Sequence, residues 1–306
     1  MGSSLTKSTK VALLIIALNC AERKIMNKTE DMKNIVKEKY SQIAGQSREE
    51  NTKSCCGVGG CSTVDYAVFA EDYTKLNGYV ADADLGLGCG IPTEFAQMKS
   101  GDTVIDLGSG AGNDAFVSRE IVGDRGRVIG VDMTEDMIAR SRENCEKLGF
   151  NNVEFRLGDI EKIPISSGVA DVVISNCVLN LVPDKEKAFK EIFRVLKTGG
   201  RFSISDVVTT GHLPKAISEA AEMYAGCIAG AITKSQYLSI IEQAGFADIR
   251  VMKEKAIEVP DEILLQYLDE RALTIHRASN TAILSITVYA EKKSCCAPGC
   301  CTTERP

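Results

Sequence analysis

The chain has 306 residues, 44% hydrophobic and 25% charged, which is the profile of a globular protein with room for one large domain and a smaller appended part. Its formal net charge of -6 is spread without a basic run and only 6% of residues are aromatic, which argues against nucleic acid as a partner and for a small molecule. No apolar run approaches the roughly 20 residues that cross a bilayer, so no membrane partner is expected.

At the N-terminus, Lys7 and Lys10 precede an apolar run over 11–18 and Cys20, a faint likeness to a leader. Asn19 suits lipid attachment badly and Met26 opens a polar helical stretch, so residues 1–25 are expected to be a disposable, disordered extension. Residues 29–44 read as an amphipathic helix with Met32, Ile35, Val36, Tyr40 and Ile43 on one face. Residues 46–63 lose periodicity and gain Ser, Gly and Cys, which predicts a loop.

From Gly101 the pattern becomes regular. Strands are expected at 103–107, 126–132, 153–157, 169–175 and 201–207, alternating with helical composition; the helices fall at 113–121, 134–148 and 185–196, the last ended by Gly199 and Gly200. Such alternation predicts a doubly wound α/β fold with a mostly parallel sheet. Beyond Asp206 the sequence is helix-rich to Ala244, then gives strands at 249–257 and 283–290 around a helical stretch near 262–271. These two strands either complete the sheet as an edge pair or form a small lobe.

The first strand carries Asp106 and runs into Gly108, Ser109, Gly110 and Gly112 at the start of a helix, where glycine lets the backbone pass close to a ligand. The second strand ends in Asp132, followed by Met133, some twenty residues past the glycines, where a carboxylate accepts both ribose hydroxyls. The third gives Gly158, Asp159 and Ile160, placed to reach an adenine amino group, and the fourth leads into Asn176. Asp106 ahead of the turn and the spacing GSGAG depart from a dinucleotide fingerprint, and over about 102–206 the chain resembles the class I S-adenosylmethionine-dependent methyltransferases.

Twelve cysteines set the composition apart. Cys55, Cys56 and Cys61 crowd one stretch, and Cys295, Cys296, Cys300 and Cys301 crowd the C-terminal end. Secreted disulfide scaffolds are short and need no cofactor core, so this usage points to thiols kept as ligands or nucleophiles in a reducing, cytoplasmic setting. Cys177 follows Asn176 at a strand end, Cys227 lies in the small-residue segment YAGCIAGA, and Cys89 sits in the glycine-flanked turn LGLGCGIP. Cys145, inside a helical stretch, is expected to be a small buried hydrophobe, and His212 and His276, far from any cysteine motif, to be structural or solvated.

The segments LGLGCGIP, VIDLGSGAGNDAF, GVDMTEDM, VEFRLGDIEKIP, ISNCVLNLVPDKEKAF, RVLKTGGRFSISDVV and YAGCIAGA, in that order, resemble the arsenite S-adenosylmethionine methyltransferases. The resemblance implies that Cys177 and Cys227 bind arsenite, with Cys89 beside them, and that Cys89 forms and re-forms a disulfide with an upstream cysteine. Cys61 fits that partner by spacing, with Cys55 and Cys56 competing. It also implies S-adenosylmethionine as donor, Tyr40 above it, arsenite and methylated arsenicals as substrates, and an external thiol reductant such as thioredoxin or glutathione. Soft trivalent arsenic favours thiolates, so the paired tail cysteines are further candidates for its capture. On this reading 26–100 holds the N-terminal helix and cysteine loop, 101–210 the donor-binding core, 211–293 a smaller α+β part contributing to the arsenic site, and 294–306 the tail of a monomer. The alternatives are a class I methyltransferase of a quinone-like molecule, which would not need these cysteines together, and a thiol-rich protein that only sequesters metalloid.

Overall fold

The computed structural model describes residues 30–47, 51, 71–218, 220, 228 and 230–293. Seven strands form one sheet: β1 (Thr103–Leu107), β2 (Arg127–Asp132), β3 (Val153–Leu157), β4 (Ala170–Asn176), β5 (Leu196–Thr209), β6 (Ala247–Ile257) and β7 (Ile283–Glu291), in the order β3-β2-β1-β4-β5-β7-β6. β7 alone is reversed, pairing antiparallel with β5 and β6, so the two C-terminal strands complete the sheet. The strand order changes direction between β1 and β4, which opens a crevice at the carboxyl ends of those strands.

The strands read as nearly unbroken apolar runs because both faces are covered. Val104 of β1 and Val172 and Ile174 of β4 pack with α2 (Asn113–Val122) and α3 (Glu135–Leu148). Their neighbours Ile105, Leu107 and Val173 point the other way, onto the layer of α4 (Lys185–Val195) and α6 (Lys234–Gln243). In chain order the short α5 (Lys215–Ser218) comes between β5 and α6, and its Ile217 packs in the cluster that holds Cys89 and Cys177. Tyr237 of α6 stacks edge-on against Phe189 of α4, with ring centroids 5.5 Å apart. Among the described residues no helix is long and apolar enough to cross a membrane.

Helix α1 spans residues 30–44 and buries Val36 and Ile43, with Met32 and Tyr40 partly covered. Ile35, expected on the same face, is 39% exposed, because the buried side follows the 32-36-40-43 stripe. Arg140 of α3 donates to the carbonyls of Ala44 and Gln46, both at 2.6 Å, and so ties down the carbonyl end of α1.

Three expectations change. Helix α4 stops at Val195, and Gly199 and Gly200 lie inside β5, since Lys292 caps the carbonyls of Phe193 and Leu196. The stretch expected at 262–271 is two helices, α7 (Asp261–Leu264) and α8 (Glu270–Ala278), the second started by Asp269, which accepts from the Ala272 N–H. β5 outlasts its predicted end at 207 because β7 pairs with it as far as Thr209. Residues 1–25 and 294–306 lie outside the described residues.

Candidate active site

Asp106, Gly108, Ser109, Gly110, Asp132 and Met133 all line the crevice. The turn after β1 is stitched to β2 by the Gly108 and Ser109 N–H groups, which donate to the Val131 carbonyl at 2.7 and 3.1 Å. Gly108 has φ +70°, and a side chain there would collide with Val178 in the loop after β4. The glycine turn and the Cys177 loop are therefore packed against each other. Gly112 departs from the expectation: it does not line the crevice, and a Cβ there would lie 2.7 Å from the Phe116 ring, so its role is to let α2 pack.

Asp132 accepts the Gly110 N–H at 3.0 Å on Oδ2 and the Thr134 N–H at 2.8 Å on Oδ1, which holds both oxygens in fixed directions at the crevice wall. Gly158, Asp159 and Ile160 form the wall beside β3. Asp159 is not bare: Lys33 of α1 reaches its Oδ2 at 2.6 Å and Glu161 Oε2 at 2.9 Å. Burial works against the Lys33 charge, yet the two carboxylates outweigh it and raise its pKa. Lys33, with Arg140 at the other end, thus lays α1 across the crevice, where Tyr40 joins the lining.

The wall is acidic. Asp84, Asp106, Asp114, Asp132, Asp159 and Glu71 line it, against Lys33 as the single cation among the described lining residues. Burial, then the charges of Asp114 and Asp132, push Asp106 well above the usual carboxylate range. Burial raises Asp114 to about 6 against hydrogen bonds from Asn176 and Tyr73, and raises Asp132 against the N–H groups of Thr134 and Gly110. Asp106 Oδ2, Ser109 Oγ and Asn113 Oδ1 are buried at the crevice with no hydrogen-bond partner. A cationic ligand rich in hydroxyl and amino donors answers both features, and S-adenosylmethionine is such a molecule.

Cys177 lines the same crevice and is 3% exposed. Its N–H donates to the Ser205 carbonyl at 2.7 Å and its φ is +59°, an unusual conformation for a residue with a Cβ and one that clusters at functional sites. Cys89 is 1% exposed and belongs to the same buried cluster as Cys177, Val36 and Ile228. The glycines flanking Cys89 are needed for packing, since a Cβ at Gly88, which also lines the crevice, would lie 2.5 Å from Asn176 Nδ2, and one at Gly90 2.5 Å from Ser205 Oγ. Cys227 lies outside the described residues, though the adjacent Ile228 is fully buried in that cluster. Cys55, Cys56, Cys61, Cys295, Cys296, Cys300 and Cys301 also lie outside them.

Cys145 is core, its Sγ 3.6 Å from the Phe150 carbonyl and its pKa raised by burial. His276 is buried on α8 with its pKa lowered by burial and then by Arg277. Sequence reasoning missed Lys33, Tyr73, Asp84 and Asp114. Of these only Asp114 left a trace, as the acid in the first turn after the glycines.

A methyltransferase-domain model matches residues 98–245. The chain is 42% identical over 235 residues to the arsenite methyltransferase of Halobacterium salinarum, a match covering 72% of this chain and 59% of that protein. It thus spans about three fifths of that relative's length. It is 30% identical to the arsenite methyltransferase of Aquipseudomonas alcaligenes, covering 78% of this chain and 69% of the relative. The crystal structure of an arsenic(III) S-adenosylmethionine methyltransferase from Chlamydomonas reinhardtii superposes with TM-score 0.57 at 32% identity, covering 69% of this chain and 68% of that one. With its sheet order, its acidic crevice and its coverage of these relatives, the chain belongs to the arsenite S-adenosylmethionine methyltransferase family and has its Rossmann-like class I fold.

Proposed function

We propose that the chain methylates trivalent arsenic held by Cys177 and Cys227, with Cys89 beside them, using S-adenosylmethionine. The observation that carries this reading is Cys177, presented by a left-handed backbone into the crevice that holds Asp106 and Asp132. Bound S-adenosylmethionine supplies an electrophilic methyl on a sulfonium sulfur. Asp132 would take the ribose hydroxyls on the lone pairs its protein partners leave, Asp159 and Ile160 would flank the adenine, and the acidic wall would favour a cationic donor. Tyr40 and the rest of α1 cover the crevice and exclude water.

Arsenic enters as a thiophilic trivalent substrate whose hydroxyls are exchanged for thiolates. Its lone pair forms the new arsenic–carbon bond as the carbon–sulfur bond breaks, a displacement that needs alignment more than acid or base. The product arsenic is pentavalent. Two electrons from a pair of thiols, Cys89 and an upstream cysteine among Cys61, Cys55 and Cys56, return it to the trivalent state as a disulfide forms. An external thiol reductant, thioredoxin or glutathione, reopens that disulfide, which sets the enzyme in a reducing cytoplasm.

The test is transfer of label from methyl-labelled S-adenosylmethionine with and without arsenite. Arsenite-dependent transfer that Cys177→Ser abolishes, with donor binding retained, is the expected result. Transfer independent of arsenite, or full activity in Cys177→Ser, overturns the reading.

A further inference from the structure

Asn176 precedes Cys177, and its side chain is committed to the turn that carries Cys89. Oδ1 accepts the Cys89 N–H at 3.0 Å and Nδ2 donates to the Gly90 carbonyl at 2.8 Å, so one amide brackets Cys89 on both sides. Nδ2 faces two further acceptors, Tyr73 Oη at 2.7 Å and Asp114 Oδ2 at 3.1 Å. With three acceptors on the nitrogen and an N–H on the oxygen, the amide has one possible orientation. Tyr73 supports the same arrangement, its hydroxyl 2.9 Å from Asp114 Oδ1 and 3.0 Å from the Gly90 carbonyl.

The turn is gripped from its other side as well. Ser285 of β7 donates to the Cys89 carbonyl, and Ser205, whose carbonyl accepts the Cys177 N–H, holds Thr287 at 2.9 Å. Cys89 and Cys177, 88 positions apart in sequence (177 less 89), are therefore referenced to one side chain, by a single peptide link on one side and a pair of hydrogen bonds on the other. The close approach of Gly88 to this amide leaves no slack for the turn to slide.

We propose that Asn176 is a positioning residue that sets the spacing of the Cys89 and Cys177 thiols, and so the bite offered to a trivalent thiophilic ion, with Tyr73 and Asp114 fixing the direction of its amide. The inference rests on the reading that Cys177 holds arsenic, and it gives Asn176, which also lines the crevice, a role beyond contact with the methyl donor.

The experiment compares wild type with Asn176→Ala, Tyr73→Phe and the control Ser175→Ala, which removes a buried hydrogen bond of the same strand, Ser175 Oγ to the Leu107 carbonyl at 2.8 Å. Three quantities are read: the arsenite concentration for half-maximal methyl transfer, donor affinity by calorimetry, and calorimetric binding of phenylarsine oxide, a probe that needs two thiols, with the adjacent pairs Cys55, Cys56, Cys295, Cys296, Cys300 and Cys301 replaced by Ser in every chain titrated with it. Loss of the bracketing pair is expected to raise the arsenite concentration and weaken the probe by about tenfold or more, with donor affinity within about twofold. Tyr73→Phe, which preserves the pair but loosens the amide, is expected to give a smaller shift of about threefold. Ser175→Ala is expected to lower thermal stability without moving either arsenical. Equal arsenical binding in Asn176→Ala and Ser175→Ala overturns the proposal, as does a fall in donor affinity that matches the arsenical loss. If Asn176→Ala does not fold, an unshifted Tyr73→Phe is decisive against it. Should wild type move no methyl to arsenite, the functional reading fails, and the phenylarsine oxide titration still decides the role of Asn176.

Discussion

Asp132→Ala tests the donor site at its most constrained point. Each carboxylate oxygen takes one backbone N–H, at 2.8 and 3.0 Å, the Thr134 hydroxyl and the Met133 N–H also bear on the group, and the acceptor directions left over face the crevice. Two ribose hydroxyls filling those directions make two hydrogen bonds to a charge, each contributing about 1.5 to 3 kcal/mol. Burial of the carboxylate is partial in the folded protein and raises its pKa, so only the part still open to the crevice is a fresh desolvation cost on binding. Allowing for water entering the truncated site, a net loss of about 3 kcal/mol is expected, or roughly a hundredfold weaker binding. The same change strands the Gly110 and Thr134 N–H groups, so the melting temperature must be followed alongside. The assay is calorimetric titration of folded variant and wild type with S-adenosylhomocysteine. A dissociation constant within about threefold of wild type, in a variant that is folded at the assay temperature, would remove Asp132 from the site and with it the account of ribose recognition.

Lys33→Met releases one end of α1, and donor affinity is expected to fall about tenfold at low salt, the gap from wild type narrowing without closing as salt rises, because Asp159 is half exposed and screened while Glu161 is buried. An unchanged salt profile by stopped-flow binding would show that the pair does not hold the helix. Gly88→Ala drives a Cβ to 2.5 Å from Asn176 Nδ2 and is expected to impair arsenite-dependent turnover while donor binding persists; wild-type turnover in the purified variant would contradict the tight turn. Asp206, raised to about 7 by burial against the Lys185 charge and the Tyr237 hydroxyl, holds a proton in the folded state that the unfolded chain releases near its ordinary value of about 3.9. Its contribution is full below that value and is lost as pH rises through 7, so wild-type stability falls across the interval. Asp206→Asn is expected to flatten that slope in denaturant titrations, and a parallel pair of curves would refute the assignment.

The sheet was legible because its strands are buried on both faces and bounded by glycine turns, so β1, β3 and the ends Asp132 and Asp159 fall where composition places them. The glycine run was read less well: Gly108 and Gly112 look alike in sequence, yet one meets Val178 at the crevice and the other two phenylalanine rings in the core. Lys33 left no signal, since its partners Asp159 and Glu161 lie 126 and 128 positions away. The glycines around Cys89 mark a tight turn in the sequence, but the groups packed onto them, Asn176 at Gly88 and Ser205 at Gly90, emerge only from tertiary packing. Gly199 and Gly200 misled as a helix end because Lys292, nearly a hundred positions later, supplies the cap.

The reversed direction of β7 ties the two ends of the sheet together. Its first half lies at the crevice end, where Ser285 donates to the Cys89 carbonyl and Thr287 meets Ser205, and the chain just past its last residue lies at the other end, where Lys292 sits against Gly199. Asn176 is level with Ser205, and the six steps from Gly199 to Ser205 span roughly 20 Å at about 3.3 Å each. One strand thus braces the thiol-bearing turn at one end and leads to the lysine that closes the carbonyls behind α4 at the other, so a slip in its register is expected to be felt at both.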